Sequence, residues 1–273
     1  VNRYTVRTAI LEAVLILTAV VFIAPLVILL SVALRDPHGE AGFLGFTWPL
    51  NFGNLSTAWV DSAMGASLIN SALITTTSVV LIVVVSSSAA YTLARKTQAW
   101  SRGLFYLFLA GFLFPGQLAM LPLYLWFANI GLVGSPVAVI VINVGGFLPF
   151  AIFLYATFLR DLPREYEEAA TIDGARPTRT FVSIVFPLLR PVTGTIVILT
   201  GLAIWNDFFT PLLYLSGSGA STAPLSVYSF VSRYSANWPL VFSALIISVI
   251  PILIAYFLMQ RFIIRGFASG LKG

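Results

Sequence analysis

Acidic and basic groups are scarce in this chain: 9% of its residues are charged and 59% hydrophobic. Where the polar groups stand is therefore its first chemical information. Asp207 lies in "TGLAIWNDFFTPLLYL", an otherwise uncharged run. A carboxylate there is costly unless it meets water, a partner or the interior of a helix bundle. Two roles fit it. It can serve as a structural hydrogen bond or interfacial charge at a helix end, or it can join Asn206 in accepting hydroxyl protons from a polar solute beside the ring of Trp205. Gln117, in "FPGQLAMLP", is a further polar group on an apolar path. The second chemical feature is "EEAATIDGARPTRTFVSIVFPLLRP", Glu167 to Pro191, where Glu167, Glu168, Asp173, Arg176, Arg179 and Arg190 crowd around small residues.

Neither stretch contains a catalytic set, and no catalytic or metal-binding residue is assigned. Cysteine is absent, which removes a thiol nucleophile, a disulfide framework and Cys-ligated zinc. His38, the only histidine, sits in "RDPHGEAG" and reads as a solvated loop residue. "GSGAS", Gly217 to Ser221, has no evident base and reads as a flexible linker. No H-E-x-x-H or G-x-x-x-x-G-K-[ST] occurs, so the chain cannot cradle and hydrolyse ATP by the P-loop route.

The elements that position these residues follow from hydropathy. Soluble domains are about 25% charged, so this composition points to a membrane protein. A spanning helix needs roughly 20 apolar residues. Apolar runs holding at most one charge predict spans at about 10–34, 67–94, 103–127, 137–159, 191–215 and 239–260, in one domain over 1–273. The uncharged stretch Gly103 to Leu159 would be about 85 Å long as one helix, so it must fold back at "ANIGLVGSP", where Asn, Gly and Ser-Pro supply turn chemistry. The fold class is all-α and polytopic, with six transmembrane helices and a large loop at 160–190.

Basic residues orient the bundle, because they accumulate on the cytoplasmic side of spans. With both termini cytoplasmic, thirteen of the fifteen lie inside (Arg3, Arg7, Arg95, Lys96, Arg102, Arg160, Arg164, Arg176, Arg179, Arg190, Arg261, Arg265 and Lys272), leaving Arg35 and Arg233 outside. This distribution accounts for the net charge of +5 without nucleic acid. Prolines 115, 122, 149 and 251 interrupt the third, fourth and sixth spans. Most suit packing kinks, and Pro115-Gly116-Gln117 is the best hinge candidate.

Within the loop, Pro163 suits a helix start, and Glu165, Glu167 and Glu168 suit its positive end. Asp173-Gly174 stops that helix. Tyr166, Ala169 and Ala170 fall on one face at helical spacing, a surface that lets another backbone approach. A second short helix follows Pro177, with Phe181, Ile184 and Val185 on one side, and Pro187 closes it.

The string Glu168-Ala169-Ala170, three residues, Gly174, nine residues, Ile184-x-Phe186-Pro187 resembles the E-A-A loop of binding-protein-dependent ABC importer permeases, with Phe186 in place of the usual Leu. "WNDFFTPLLYL" and "QRFIIRGFASGLKG" resemble the fifth span and C-terminal tail of the maltose and multiple-sugar subfamily, and the short first outer loop matches its MalG-like member. The resemblance implies that Glu168, Ala169, Ala170, Asp173, Gly174, Phe181, Ile184 and Pro187 form a coupling helix docked on an ABC ATPase dimer, which alone binds ATP and Mg. It implies a second permease subunit completing the pore as a heterodimer, and an extracytoplasmic binding protein delivering sugar at a bacterial or archaeal inner membrane. Trp205, Asn206, Asp207 and Gln117 would line the path, and the tail Gly266 to Gly273 would reach the ATPase interface. Membrane lipid is the remaining partner; no cofactor is expected on this chain. Glycerol phosphate is the rival substrate, disfavoured because Arg35 and Arg233 are the only basic groups expected in the outer half. An ATP-independent channel or secondary transporter is the alternative class, with Asp207 as its sole strong coupling carboxylate. An intramembrane enzyme would need a nucleophile-base or metal set that is not found.

Overall fold

The computed structural model describes residues 5–36, 48–231 and 236–270. His38, Arg3, Arg233 and Lys272 lie outside the described residues. Among those described, the architecture is helical, with one isolated bridge between Val231 and Ala236. In chain order the helices are α1 (Val6–Ala33), α2 (Gly53–Asp61), α3 (Met64–Arg95), α4 (Ala99–Leu113), α5 (Gly116–Asn129) and α6 (Pro136–Asp161). They continue as α7 (Glu165–Ile172), α8 (Pro177–Leu188, with a π-helical turn at Phe181–Val185), α9 (Arg190–Trp205), α10 (Phe209–Leu215), α11 (Ala223–Val227) and α12 (Trp238–Gly270).

Four of these helices, α1, α3, α6 and α12, are long and apolar enough to cross a membrane. Two bent pairs, α4 with α5 and α8 with α9, bring the number to six if each pair is one span. The stretch 103–127, predicted as one span with a hinge candidate at Pro115, is divided between α4 and α5 by a bend of 96°. Phe114 and Pro115 are extended there, with ψ of 126° and 110°. Proline has no amide to continue the ladder and disfavours helical backbone in the residue before it. The predicted helix at 191–215 is likewise interrupted, between Trp205 and Phe209.

Contacts divide the chain into two units. The first takes the described parts of Val1–Gly65 and Ser226–Pro251. Here Asn54 on α2 donates through Nδ2 to the carbonyls of Ala33 at 2.8 Å and Arg35 at 2.7 Å, and Ser243 Oγ donates to Ala33 at 3.0 Å. These bonds satisfy carbonyls that the end of α1 leaves without helical partners. Helix α3 begins at Met64, before the predicted start at 67, and includes Gly65, which lies against the ring of Trp59 where a Cβ would come within 3.2 Å. Along α1, none of the most apolar eighteen residues is buried within the chain.

The second unit, Ala66–Leu225 and Ile252–Gly273, holds the main core. Ile152, Tyr155 and Leu159 of α6 are fully buried, as are Ile82 of α3 and Ile196 of α9. Tyr155 donates its hydroxyl to Thr193 at 2.9 Å, and Phe112 of α4 stacks on Phe150 of α6. Tyr214 of α10 packs beside Phe127 and Tyr124 of α5. The stretch 217–221 is not a free linker: Asn70 of α3 donates to the carbonyl of Ser221 at 3.1 Å, and Ser71 accepts the amide of Ala223 at 2.8 Å.

Candidate functional site

The loop between α6 and α9 is two short helices around a tight corner. Its first helix, α7, carries Glu165, Glu167 and Glu168 in the opening turn, at the positive end of the helix dipole. It ends in a Schellman motif: Ala175 donates to the carbonyl of Ala170 at 2.9 Å and Gly174 to that of Thr171 at 3.0 Å. Gly174 has φ of +76°, a left-handed conformation that other residues adopt with strain. A Cβ at Gly174 would meet nothing within 4 Å. Glycine is therefore required there by the backbone turn, and its face is left bare.

The signature residues divide between the two faces of the loop. Glu168, Ala169, Asp173 and Gly174 are exposed. Ala170 is turned inward and buried, although spacing grouped it with Tyr166 and Ala169 on one docking face. Phe181 also faces the chain: its ring lies 5.0 Å from Tyr91 of α3 and 6.1 Å from Phe186. The π-helical turn explains this, since five-residue closure brings Phe181 and Phe186 to the same side, with the Phe186 amide bonded to the Phe181 carbonyl. Val185 is fully buried, while Ile184 and Pro187 are half-buried. The loop instead turns Tyr166, Ile172 and Val182 outward, at 48%, 86% and 62% exposure. Sequence reasoning missed Ile172 and Val182, whose signal is an apolar side chain beside the motif with no helical partner of its own.

Sequence reasoning also missed what holds the loop. Arg95, at the last residue of α3, donates Nε to Glu167 Oε1 at 2.7 Å, and its Nη2 is 2.7 Å from the same oxygen. Tyr91 donates its hydroxyl to Glu167 Oε2 at 3.0 Å. Tyr91 and Arg95 are four residues apart and so share a helix face. In the sequence, Arg95 is marked only as one of the orienting cations.

The candidate path residues sit at a helix break. Asn206 donates Nδ2 to the carbonyl of Leu202 at 2.9 Å, and Asp207 Oδ1 accepts the amide of Thr210 at 3.2 Å. The Asp207 side chain thus satisfies an amide freed by the interruption between α9 and α10, while Asn206 adds a second donor to a carbonyl that already accepts its own amide at 3.1 Å. Trp205 ends α9, half-buried. Gln117 is exposed in the first turn of α5, and no hydrogen bond joins it to Asn206 or Asp207.

This architecture has known counterparts. Residues 82–269, the segment containing the loop and the break, match the family described as "Binding-protein-dependent transport system inner membrane component". The chain belongs to this family. It is therefore a permease, the membrane-spanning component of a binding-protein-dependent ABC transport system. It is similar to the melibiose/raffinose/stachyose import permease protein MelC of Bacillus subtilis, with 33% identity covering 97% of each chain. It is also similar to the diacetylchitobiose uptake system permease protein NgcG of Streptomyces coelicolor, with 31% identity over 96% of this permease and 88% of that one. The multiple sugar-binding transport system permease protein MsmG of Streptococcus mutans is 30% identical over 84% of this chain and 83% of its own. A chain from the crystal structure of a bacterial ABC transporter involved in the import of the acidic polysaccharide alginate shares the fold, with a TM-score of 0.80, 20% identity and coverage of 96% and 99%.

Proposed function

We propose that this permease carries a sugar, received from an extracytoplasmic binding protein, through a pore it forms with a second, related permease subunit. An ABC ATPase dimer docks on the α7–α8 loop and supplies the energy. The termini and this loop are then cytoplasmic, and the host membrane is a bacterial or archaeal inner membrane. The observation carrying this reading is the loop itself: an outward edge of Tyr166, Glu168, Ala169 and Ile172 on a corner braced from behind by α3. An apolar side chain as exposed as Ile172 is a natural anchor for a pocket on a partner. MelC, NgcG and MsmG, named for sugar import or uptake, support the solute class. Asn206 and Asp207 remain the path candidates, since a break in a membrane helix is where polar side chains and freed backbone groups meet a cavity.

The test is mass spectrometry of what co-purifies with the chain from its native membrane in mild detergent, beside Gly174→Arg. The expected result is an ATPase and a second permease with the unmodified chain, and loss of the ATPase from the variant. Absence of any ATPase from the unmodified chain would overturn the docking reading. Titrating the recovered binding protein with raffinose, maltose and diacetylchitobiose tests the solute class.

A further inference from the structure

The last turn of α3 reaches three other elements at once. Arg95 holds one carboxylate oxygen of Glu167 on α7 and, through Nη2, donates to the Leu162 carbonyl at 3.1 Å, one residue beyond α6. Tyr91 takes the other Glu167 oxygen with its hydroxyl and lays its ring on Phe181 of α8. The Arg95 and Glu167 side chains are 12% and 16% exposed, so water competes little for these bonds. Charge-assisted bonds of this kind are short and directional. A carboxylate held at both oxygens from one helix fixes α7 in position and in rotation.

We infer that Arg95, Tyr91 and Glu167 are positioning residues for energy coupling, binding α3 to the loop so that a displacement of α7 and α8 becomes a displacement of α3. The inference rests on the docking of the loop proposed above. Without the clamp, the loop still presents its outward edge, but it keeps only apolar contact with α3, such as Tyr91 on Phe181, and part of the motion is lost as flexing of the loop.

The absence of native cysteine permits a direct test. In the assembled complex, spin labels on Val84→Cys of α3 and Leu199→Cys of α9, both exposed positions, report the distance between these helices with and without ATP and vanadate. Trapping should shift that distance in the otherwise unmodified chain. Arg95→Gln should reduce the shift at least twofold with the ATPase still bound, and the reversed pair, Arg95→Glu with Glu167→Arg, should restore most of it. A full shift in Arg95→Gln, or a reversed pair no better than the single change, overturns the inference while leaving docking intact. If Arg95→Gln does not assemble, Tyr91→Phe decides, because it keeps the ring and deletes only the hydroxyl donor: a shift reduced by a third supports the clamp and an unchanged one overturns it. Failure of the docking reading is distinguishable, since then no ATPase is bound to the unmodified chain and trapping moves nothing.

Discussion

Asp207 and Asn206 act first on their own backbone. Loss of a helix-capping side chain costs about 1 kcal/mol, so Asp207→Ala should lower the thermal midpoint of the detergent-solubilised complex, while Asp207→Asn, which retains the acceptor oxygen, should not. Uptake in proteoliposomes then separates the roles. If Asp207→Asn transports normally, the residue is a cap; if it assembles but loses uptake more than fivefold, the charge serves the solute. The sequence marked Asp207 as a costly carboxylate, with a hydrogen bond at a helix end as one of its two roles; the amide it meets was hidden because apolar residues continue on both sides of the break. Ile172 has the opposite character, since nothing in the chain uses it. Ile172→Asp should preserve folding and weaken ATPase retention at least tenfold, measured by titrating purified ATPase onto the immobilised permease.

At the scale of elements, backbone geometry separates substitutions that look alike. The left-handed turn at Gly174 costs an ordinary L residue about 1–2 kcal/mol, and asparagine tolerates it better than alanine. Gly174→Asn should therefore retain more ATPase than Gly174→Ala, with Gly174→Arg retaining least because its side chain also enters the bare face. Pull-down of the ATPase from the three variants gives the order. The corner was legible in the sequence because Asp173-Gly174 is strong turn punctuation. The inward turn of Phe181 was not, because it follows from a π-helical turn whose five-residue spacing no ordinary helical pattern contains. Pro115 was legible as a hinge candidate, although the size of the bend depends on Phe114 leaving the helical region as well. Pro115→Ala removes both restrictions, and the distance between spin labels on Leu107→Cys and Leu125→Cys should lengthen as the 96° bend straightens.

For the whole molecule, the order of apolar elements was legible from where charges are missing, since α3 and α6 end where the first charges appear. Of the interruptions within the apolar runs, the turn at 128–136 and the hinge at Pro115 were legible from turn residues and proline, whereas the break between Trp205 and Phe209 was not, because no proline marks it. If the chain crosses the membrane six times as proposed, Thr178→Cys and Ser216→Cys must face opposite sides. An impermeant maleimide applied to right-side-out vesicles should then label Ser216→Cys alone, and Thr178→Cys only after the vesicles are opened. Labelling of both from one side would reject that topology.

Among the long helices, α1, α6 and α12 each contain a proline, whereas α3 contains none. Its 32 residues are about 48 Å long at helical rise, and no proline interrupts them. Such a length turns a small angle into a large travel. Pivoted at one end, a 10° tilt of a helix this long carries the other end through about 8 Å, more than one helical turn. If α3 pivots beside Tyr91 and Arg95, as the proposed coupling requires, a small rotation imposed there becomes a large travel at its far end.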